Sequence, residues 1–467
     1  MDSAVDAASG SELHSDGAQS VTEAVLRSKE KHSDLSTSFT LRILCALQVT
    51  VAGALALLWV LMSRAVQRTT DFPAFLAGWN LLVHGHANQL YDLNAQKLVQ
   101  QELIGGSFAN GVLPFVNPPY VATLFGALGR LSLGVGYWVW AAMNVGLLVI
   151  LFSLLRKIVR MDTKQWRRYA LWSIAAAPVW SALMGGTFSL WVCVGVAGFV
   201  LAMQEDRDFS AGIWLGLVAF KPQYLPAILV LLVARRSWKV LGGFAAAMSV
   251  LLAVSLPWVG ADGYHKFFSL LTSFTNQGAK YSAHSELMWN VRGLLTRLIE
   301  RGSLSATNSD SWLTLKHDAL TSRISLALFA GGLLAVFRTR RFQLRIHLAL
   351  TICIMVILSP HGHVHDTILM LVAVGLAWSV AVESNVITTR KHSLIALSTV
   401  GLSVAFFSSR DALSLLGLAI YVAFAHWIWT LRNLVPAERN EIVVTNRPEL
   451  VPTSSLAFLE SKVEIHS

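Results

Sequence analysis

Charge is scarce in this chain. Of 467 residues only 14% are Asp, Glu, Lys or Arg, against 54% hydrophobic, where soluble domains carry about 25% charged residues. That deficit excludes an ordinary soluble domain and leaves an integral membrane protein. Cysteine is scarcer still. Cys45, Cys193 and Cys353 each sit inside an apolar run, with neither close pairing nor metal-ligand spacing. They read as small packing residues and say nothing about a redox compartment. Also missing are a GxxxxGK(S/T) loop, a Rossmann glycine pattern, GxSxG and HExxH, so soluble nucleotide chemistry has no support. The formal charge of +10 does not indicate a nucleic-acid partner. The basic residues cluster in short loops between apolar spans, where the positive-inside rule accounts for them.

What the chain has in quantity is apolar length. Runs long enough to cross a hydrocarbon core of about 30 Å fall at 41–62, 133–155, 169–184, 189–204, 239–259, 319–337, 344–358, 366–382, 393–408 and 412–431. The 16 tryptophans suit interfacial belts as well as bundle packing. Residues 1–38 are rich in Ser, Asp, Glu and Lys and are expected to form a disordered cytoplasmic tail without a cleavable signal peptide. A second disordered tail is expected over 433–467, leaving 39–432 as the membrane domain. The fold class is an all-α polytopic bundle of about 10–13 membrane helices, short or re-entrant ones included, with two larger outer loops. A multi-pass protein of the plasma or inner membrane is expected.

Four basic loops orient the spans: Arg156 to Arg168, Arg235-Arg236 with Lys239, Arg338 to Arg345, and Arg390-Lys391. With all four in the cytoplasm the spans alternate, provided two segments do not cross singly. Pro118 to Leu131 is apolar but only 14 residues long, and reads as a re-entrant or interfacial helix. Ser210 to Ala234 is interrupted at Lys221-Pro222 and reads as a hairpin of two short helices with Lys221 at its tip. Broken backbone at membrane depth is tolerated only where protein or a water-filled cavity covers it, so both segments predict a cavity. Ser63–Pro118, 260–318, Gly185-Gly186-Thr187, Ser359 to Asp366 and the Lys221 tip then all face the non-cytoplasmic side. A site is expected there, in contact with membrane lipid.

Several residues on that side carry chemical potential. Asp71 of Asp71-Phe72 reads equally as a helix N-cap or as a general base for an acceptor hydroxyl. Asn117-Pro118-Pro119-Tyr120 is either a plain proline helix start or a substrate-facing break. Lys221 lies in the middle of an apolar segment, where a lysine costs about 2.5–3.5 kcal/mol on insertion scales. It either snorkels to the interface or contacts a lipid phosphate. Ser359-Pro360-His361-Gly362-His363-Val364-His365-Asp366 packs three histidines and an aspartate into eight residues. Zinc ligation is the weaker reading, since no second Cys or His cluster exists. Contacts to phosphate and sugar hydroxyls, or a helix capped by Asp366, are the others. Arg292 offers a planar fork suited to phosphate, or an anchor for its loop onto Glu286. His284 is a weaker candidate.

Taken together, these motifs resemble glycosyltransferase family 87, polyprenol-phosphate-mannose-dependent mannosyltransferases of the C-type (GT-C) membrane fold. The resemblance covers about 40–430. It rests on Asp71-Phe72 leading to Leu90-Tyr91-Asp92, on Asn117-Pro118-Pro119, on Gly212 to Lys221-Pro222 with Arg235-Arg236, on Met288 to Leu295, and on Ser359-Pro360 to Asp366. It implies an inverting transfer of a monosaccharide, mannose above all, from a polyprenyl-phosphate donor to a glycolipid or envelope-glycan acceptor, without a metal or other cofactor. Asp71 would be the base. Lys221, Arg292, His363 and His365 would contact the donor phosphate, and Asn117, Tyr120, His361 and Asp366 the substrates. One departure stands out: family members often have Gly-Gln where this chain reads Gly185-Gly186-Thr187-Phe188. A polymerase or ligase of lipid-linked oligosaccharides and a lipid or sugar transporter are the rival readings.

Overall fold

The computed structural model describes residues 42–106, 113–276, 288–302, 312–384 and 410–433. Among the described residues every regular element is helical. The span expected at 393–408, the basic pair Arg390-Lys391, His284 and Glu286 lie outside them, as do the expected tails apart from Asn433.

The chain opens with α1 (Arg42–Thr69), which runs seven residues past the expected end at Met62. Its middle presents Leu57, Val60 and Leu61 outward, each more than half exposed. Water would penalise such a surface, whereas lipid solvates it. The following stretch is not an open loop as its composition suggests. It holds α2 (Phe72–Val83) and α3 (Leu93–Ile104), the latter capped by Asp92, whose Oδ1 accepts from the amides of Asn94 and Ala95 at 2.8 and 3.2 Å. The short α4 (Pro119–Phe125) continues as a 3-10 turn, Gly126–Arg130, tucked under α2 by the Asn80 Nδ2 bond to the Gly129 carbonyl at 3.0 Å. It is the short, non-spanning helix that the two prolines and the 14-residue length imply.

The spanning α5 (Leu133–Val159) follows. The next expected span, 169–184, is two helices: α6 (Thr163–Ala175) and α7 (Ala177–Gly185). The break falls at the extended Ala176 (φ −72°, ψ 131°), which leaves Pro178 in the first turn of α7, where its missing amide costs no helical bond. Then come α8 (Ser189–Gln204), almost wholly buried, and the hairpin of α9 (Asp208–Val218) and α10 (Leu225–Ala234). The apolar run at 239–259 is part of a longer helix, α11 (Trp238–Asn276), which contains Pro257 and breaks direction at Gly260. Beyond it α12 (Val291–Gly302) and the start of α13 (Trp312–Arg338) occupy much of the expected outer loop. The described chain finishes with α14 (Leu344–Leu358), a 3-10 turn Val364–Leu369 running into α15 (Met370–Glu383), and α16 (Arg410–Leu431).

Five of these helices are long and apolar enough to cross a membrane: α1, α5, α11, α13, and the helical stretch Val364–Glu383 that includes α15. The shorter ones fill the space between them. Two features hold the frame. Trp59 donates to the Tyr137 hydroxyl at 2.7 Å and Tyr137 to the Met184 carbonyl at 2.9 Å, tying α1, α5 and α7 together. Phe72, Phe75, Trp79, Phe125, Trp140 and Phe188 form a contiguous aromatic cluster, with ring centroids 4.9–6.4 Å apart among its contacting pairs. Such pairs contribute about 0.5–1.5 kcal/mol each beyond their burial, and Phe72 directly follows Asp71.

The bundle has two chemically distinct ends. At one, Arg235 donates to the carbonyls of Arg340 and Phe342 at 3.2 and 3.1 Å, and Arg345 grips Glu383 through two 2.7 Å bonds. At the other end lie the α1–α2, α7–α8, α9–α10 and α14–α15 connections.

The α9–α11 seam depends on two glycines. A Cβ at Gly212 would stand 2.1 Å from the Val240 carbonyl oxygen, and one at Gly243 2.1 Å from that of Phe209. Gly243→Ala should therefore lose about 1–3 kcal/mol through overpacking, seen as a lower unfolding temperature in detergent. Gly242→Ala, whose Cβ would meet nothing within 4 Å, should hold or raise that temperature, since alanine favours a helix over glycine by about 0.8–1 kcal/mol.

Candidate active site

The site grows from interrupted helices. Pro222 forces Lys221 to φ −127°, ψ 82°, outside the helical region, so α9 ends and the Lys221 side chain is released at the tip of the hairpin. Pro360 does the same to Ser359, at φ −56°, ψ 143°, ending α14. These two turns, far apart in sequence, meet. Lys221 Nζ lies 2.5 Å from Asp366 Oδ1, and both side chains are mostly or fully buried.

Asp366 is the most densely partnered group in the site. Its Oδ1 also accepts from the Ser189 hydroxyl at 2.7 Å, and its Oδ2 accepts from the His363 amide at 3.1 Å, closing the first turn of the 3-10 segment. His365 Nε2 sits 3.6 Å from Oδ2. Ser189 in turn accepts from Lys221 at 3.1 Å and from Thr187 at 3.0 Å. Sequence reasoning missed Ser189 and Thr187. Two small hydroxyls at a helix start carry no distinctive pattern, and the one available signal was that their turn falls on the same side as Lys221 and Asp366.

Asp71 occupies the N-cap position of α2, yet its side chain makes no capping bond. Its carboxyl is turned inward instead. Burial raises its pKa above the usual 3.8, opposed by His363 and Lys221 and reinforced by Asp366. That electrostatic coupling puts Asp71 in one cluster with those three residues. The adjoining turn is built to the same point: Gly186, at φ +62°, gives its carbonyl to Trp140 Nε1 at 2.6 Å, and a Cβ there would press on Phe72.

The histidines lie along one wall. The ring of His363 is 4.8 Å from that of His361 and 5.5 Å from that of His365, centroid to centroid. Burial, then the neighbouring His363 and Arg292, holds His361 well below the ordinary imidazole range, so it is neutral at pH 7. Arg292 is buried beside this wall and donates to the Pro360 carbonyl at 3.1 Å. Asn290 caps α12 through its bond from the Gly293 amide (3.0 Å) and reaches the Ser359 carbonyl (2.9 Å), while the Trp289 amide meets the Gly362 carbonyl (3.1 Å). The Met288 to Arg292 segment is thus stitched to the histidine turn.

Asn117 and Tyr120 stand behind Lys221. Asn117 Nδ2 donates to the Phe220 carbonyl at 3.2 Å and Tyr120 to the Ala219 carbonyl at 2.7 Å, so both brace the turn that presents the ammonium. Both are buried. The structure therefore gathers Asp71, Lys221, Arg292, His361, His363, His365 and Asp366 at one end of the bundle, with Asn117 and Tyr120 behind them.

Comparison with known proteins identifies the family. A sequence model of glycosyltransferase family 87 matches residues 115–360, more than half of the chain. A curated relative, a polyprenol-phosphate-mannose-dependent alpha-(1-2)-phosphatidylinositol pentamannoside mannosyltransferase of Mycolicibacterium smegmatis, is 32% identical over 165 residues. That match spans 34% of this chain and 38% of the relative, so the chain covers well under half of the relative's length.

The Lys221–Asp366 pair yields a stability test. Removing one partner of a buried pair leaves the other charge uncompensated, at about 3–5 kcal/mol. Asp366→Ala should destabilise the protein by that order in detergent unfolding, and adding Lys221→Met should restore a large part of the loss.

Proposed function

The chain belongs to glycosyltransferase family 87, and from that premise we propose that it transfers a monosaccharide, mannose, from a polyprenyl-phosphate donor to a glycolipid or envelope-glycan acceptor at the non-cytoplasmic membrane face. The observation that carries this reading is Asp71: a carboxyl at a helix start that does no capping, is turned into the bundle, and lies in the field of Lys221, Asp366 and His363.

In this mechanism the acceptor hydroxyl attacks the anomeric carbon as the bond to the phosphate oxygen breaks, inverting that carbon. The hydroxyl proton passes to Asp71, and polyprenyl phosphate departs. Negative charge grows on the leaving phosphate, so fixed cationic and N–H groups aimed at it supply much of the catalysis. Lys221 suits that task. An ammonium has three donors, of which Asp366 and Ser189 take two, and the third can meet a phosphate oxygen. Arg292, His363 and His365 stand along the same wall as further donor contacts, and His361 and Asp366 complete the lining. The distribution of arginines supports the sidedness: Arg235, Arg340 and Arg345 lie together at the end opposite the site, as cytoplasmic loops do. The relative's printed donor class supports polyprenol-phosphate mannose.

Transfer of label from polyprenyl-phosphate mannose into membrane lipid is the test. Asp71→Asn should lower the rate by about 10²–10⁴-fold while leaving the protein monodisperse. Persistence of transfer in that variant would remove Asp71 from the mechanism. The pH profile gives a second check. Asp71 acts as the ionised base, and burial lets it take up its proton at a higher pH than a free aspartate. The acidic limb of kcat/KM should therefore have its midpoint above 3.8, activity falling as pH falls through it. A profile flat down to pH 4 would contradict the assignment.

A further inference from the structure

The Lys221 ammonium is held by more than its ion pair. Ser189 Oγ has one proton to give and two lone pairs to receive with, and the structure uses all three. It donates to Asp366 Oδ1 at 2.7 Å, and accepts from Lys221 Nζ at 3.1 Å and from Thr187 Oγ1 at 3.0 Å. Ser189, Thr187 and Asp366 are all fully buried. Because the Thr187 proton occupies one lone pair of Ser189, the Ser189 hydroxyl cannot rotate without losing two bonds. A lysine with only Asp366 as partner would swing about that single contact. With Ser189 as a second acceptor, two of its N–H directions are fixed and the third is fixed with them. The turn carrying Thr187 is itself held by the Trp140 bond to the Gly186 carbonyl and by the packing of the Phe188 ring on Phe75, 4.9 Å between centroids.

We propose that Thr187 and Ser189 are positioning residues that aim the remaining N–H of Lys221 at the donor phosphate. This chain thus orients its lysine through a pair of hydroxyls. The inference rests on the donor reading above, in which Lys221 meets the phosphate. Besides Asp366, the groups in the electrostatic field of Lys221 include Asp71, His361 and His365, and Tyr224 lies beside Asp366.

The test is a double-mutant cycle on the full chain in lipid nanodiscs, with kcat and KM measured for polyprenyl-phosphate mannose. Ser189→Ala should lower kcat/KM on the order of tenfold to a hundredfold, the range of a hydrogen bond to a charged group. Thr187→Val should give a smaller loss, and Thr187→Ser should return to the wild-type value. In a Lys221→Met background Ser189→Ala should add less than about twofold, because the group it orients is gone. Where Lys221→Met does not purify as a monodisperse protein, Lys221→Met/Asp366→Asn, which removes both charges, serves as the background. Full multiplicative losses in either background, or a Ser189→Ala enzyme with wild-type constants, would overturn the proposal and leave the donor reading intact. Thermal shift with polyprenyl phosphate separates the two ideas. A wild-type protein that binds it without transferring mannose, with binding weakened in Ser189→Ala, upholds the positioning role and rejects mannose as the sugar. A wild-type protein that neither transfers nor binds rejects the donor reading and the proposal together.

Discussion

The contact between Lys221 and Asp366 is the constraint around which the site end of the bundle is arranged. Taking two charges out of water is costly, and their mutual attraction compensates only where the remaining hydrogen-bonding capacity is also satisfied. Here Ser189, the His363 amide and Thr187 supply those extra bonds. Three connections must converge for this to happen: the α7–α8 turn with the start of α8, the 3-10 segment before α15, and the tip of the α9–α10 hairpin. The aromatic cluster under Phe72 and the bracing of the 219–221 turn by Asn117 and Tyr120 fix the approach of each.

A membrane makes such convergence informative. Backbone in lipid must satisfy its own hydrogen bonds, so helices break only where protein or a water-filled cavity takes over. Two breaks in this chain share one chemistry. Lys221 and Ser359 each precede a proline, which expels them from helical geometry, and both lie at the same end. Proline thus both stops the helix and places a polar group where substrate chemistry can use it. The family membership of the chain associates that end of the bundle with glycosyl transfer in the reading proposed above. Asp71, whose carboxyl has no capping duty, is the residue proposed above as the base.

Much of the bundle was legible before any coordinates. The apolar length of Leu133–Val159, the shortness of 118–131, and the hairpin with Lys221 at its tip all follow from local rules of hydrophobic length and proline geometry. The failures were local rules meeting tertiary context. The run at 169–184 is long enough to be one helix but divides before Pro178. At Pro257 the reverse holds, since the helix continues past the proline to a break at Gly260. The stretch 63–118 has too little apolar length to span, yet it folds into α2 and α3 against the bundle. At the site, charged and imidazole side chains announce themselves in a hydrophobic sequence. Thr187 and Ser189 do not, because a hydroxyl on an apolar helix is as often a packing residue as a functional one.

By itself the sequence determined that this is a helical membrane protein, that the chain breaks at Lys221-Pro222 and Ser359-Pro360, and which ionisable residues are too costly in lipid to be idle. These are consequences of local composition: apolar length, the absent proline amide, the desolvation of a lone charge. Only the tertiary structure decided who partners whom. Lys221 and Asp366 are 145 residues apart, and Ser189 and Asp366 are 177 apart. No local rule sets such a pairing, because it depends on the packing of whole helices that bring distant turns within hydrogen-bond reach.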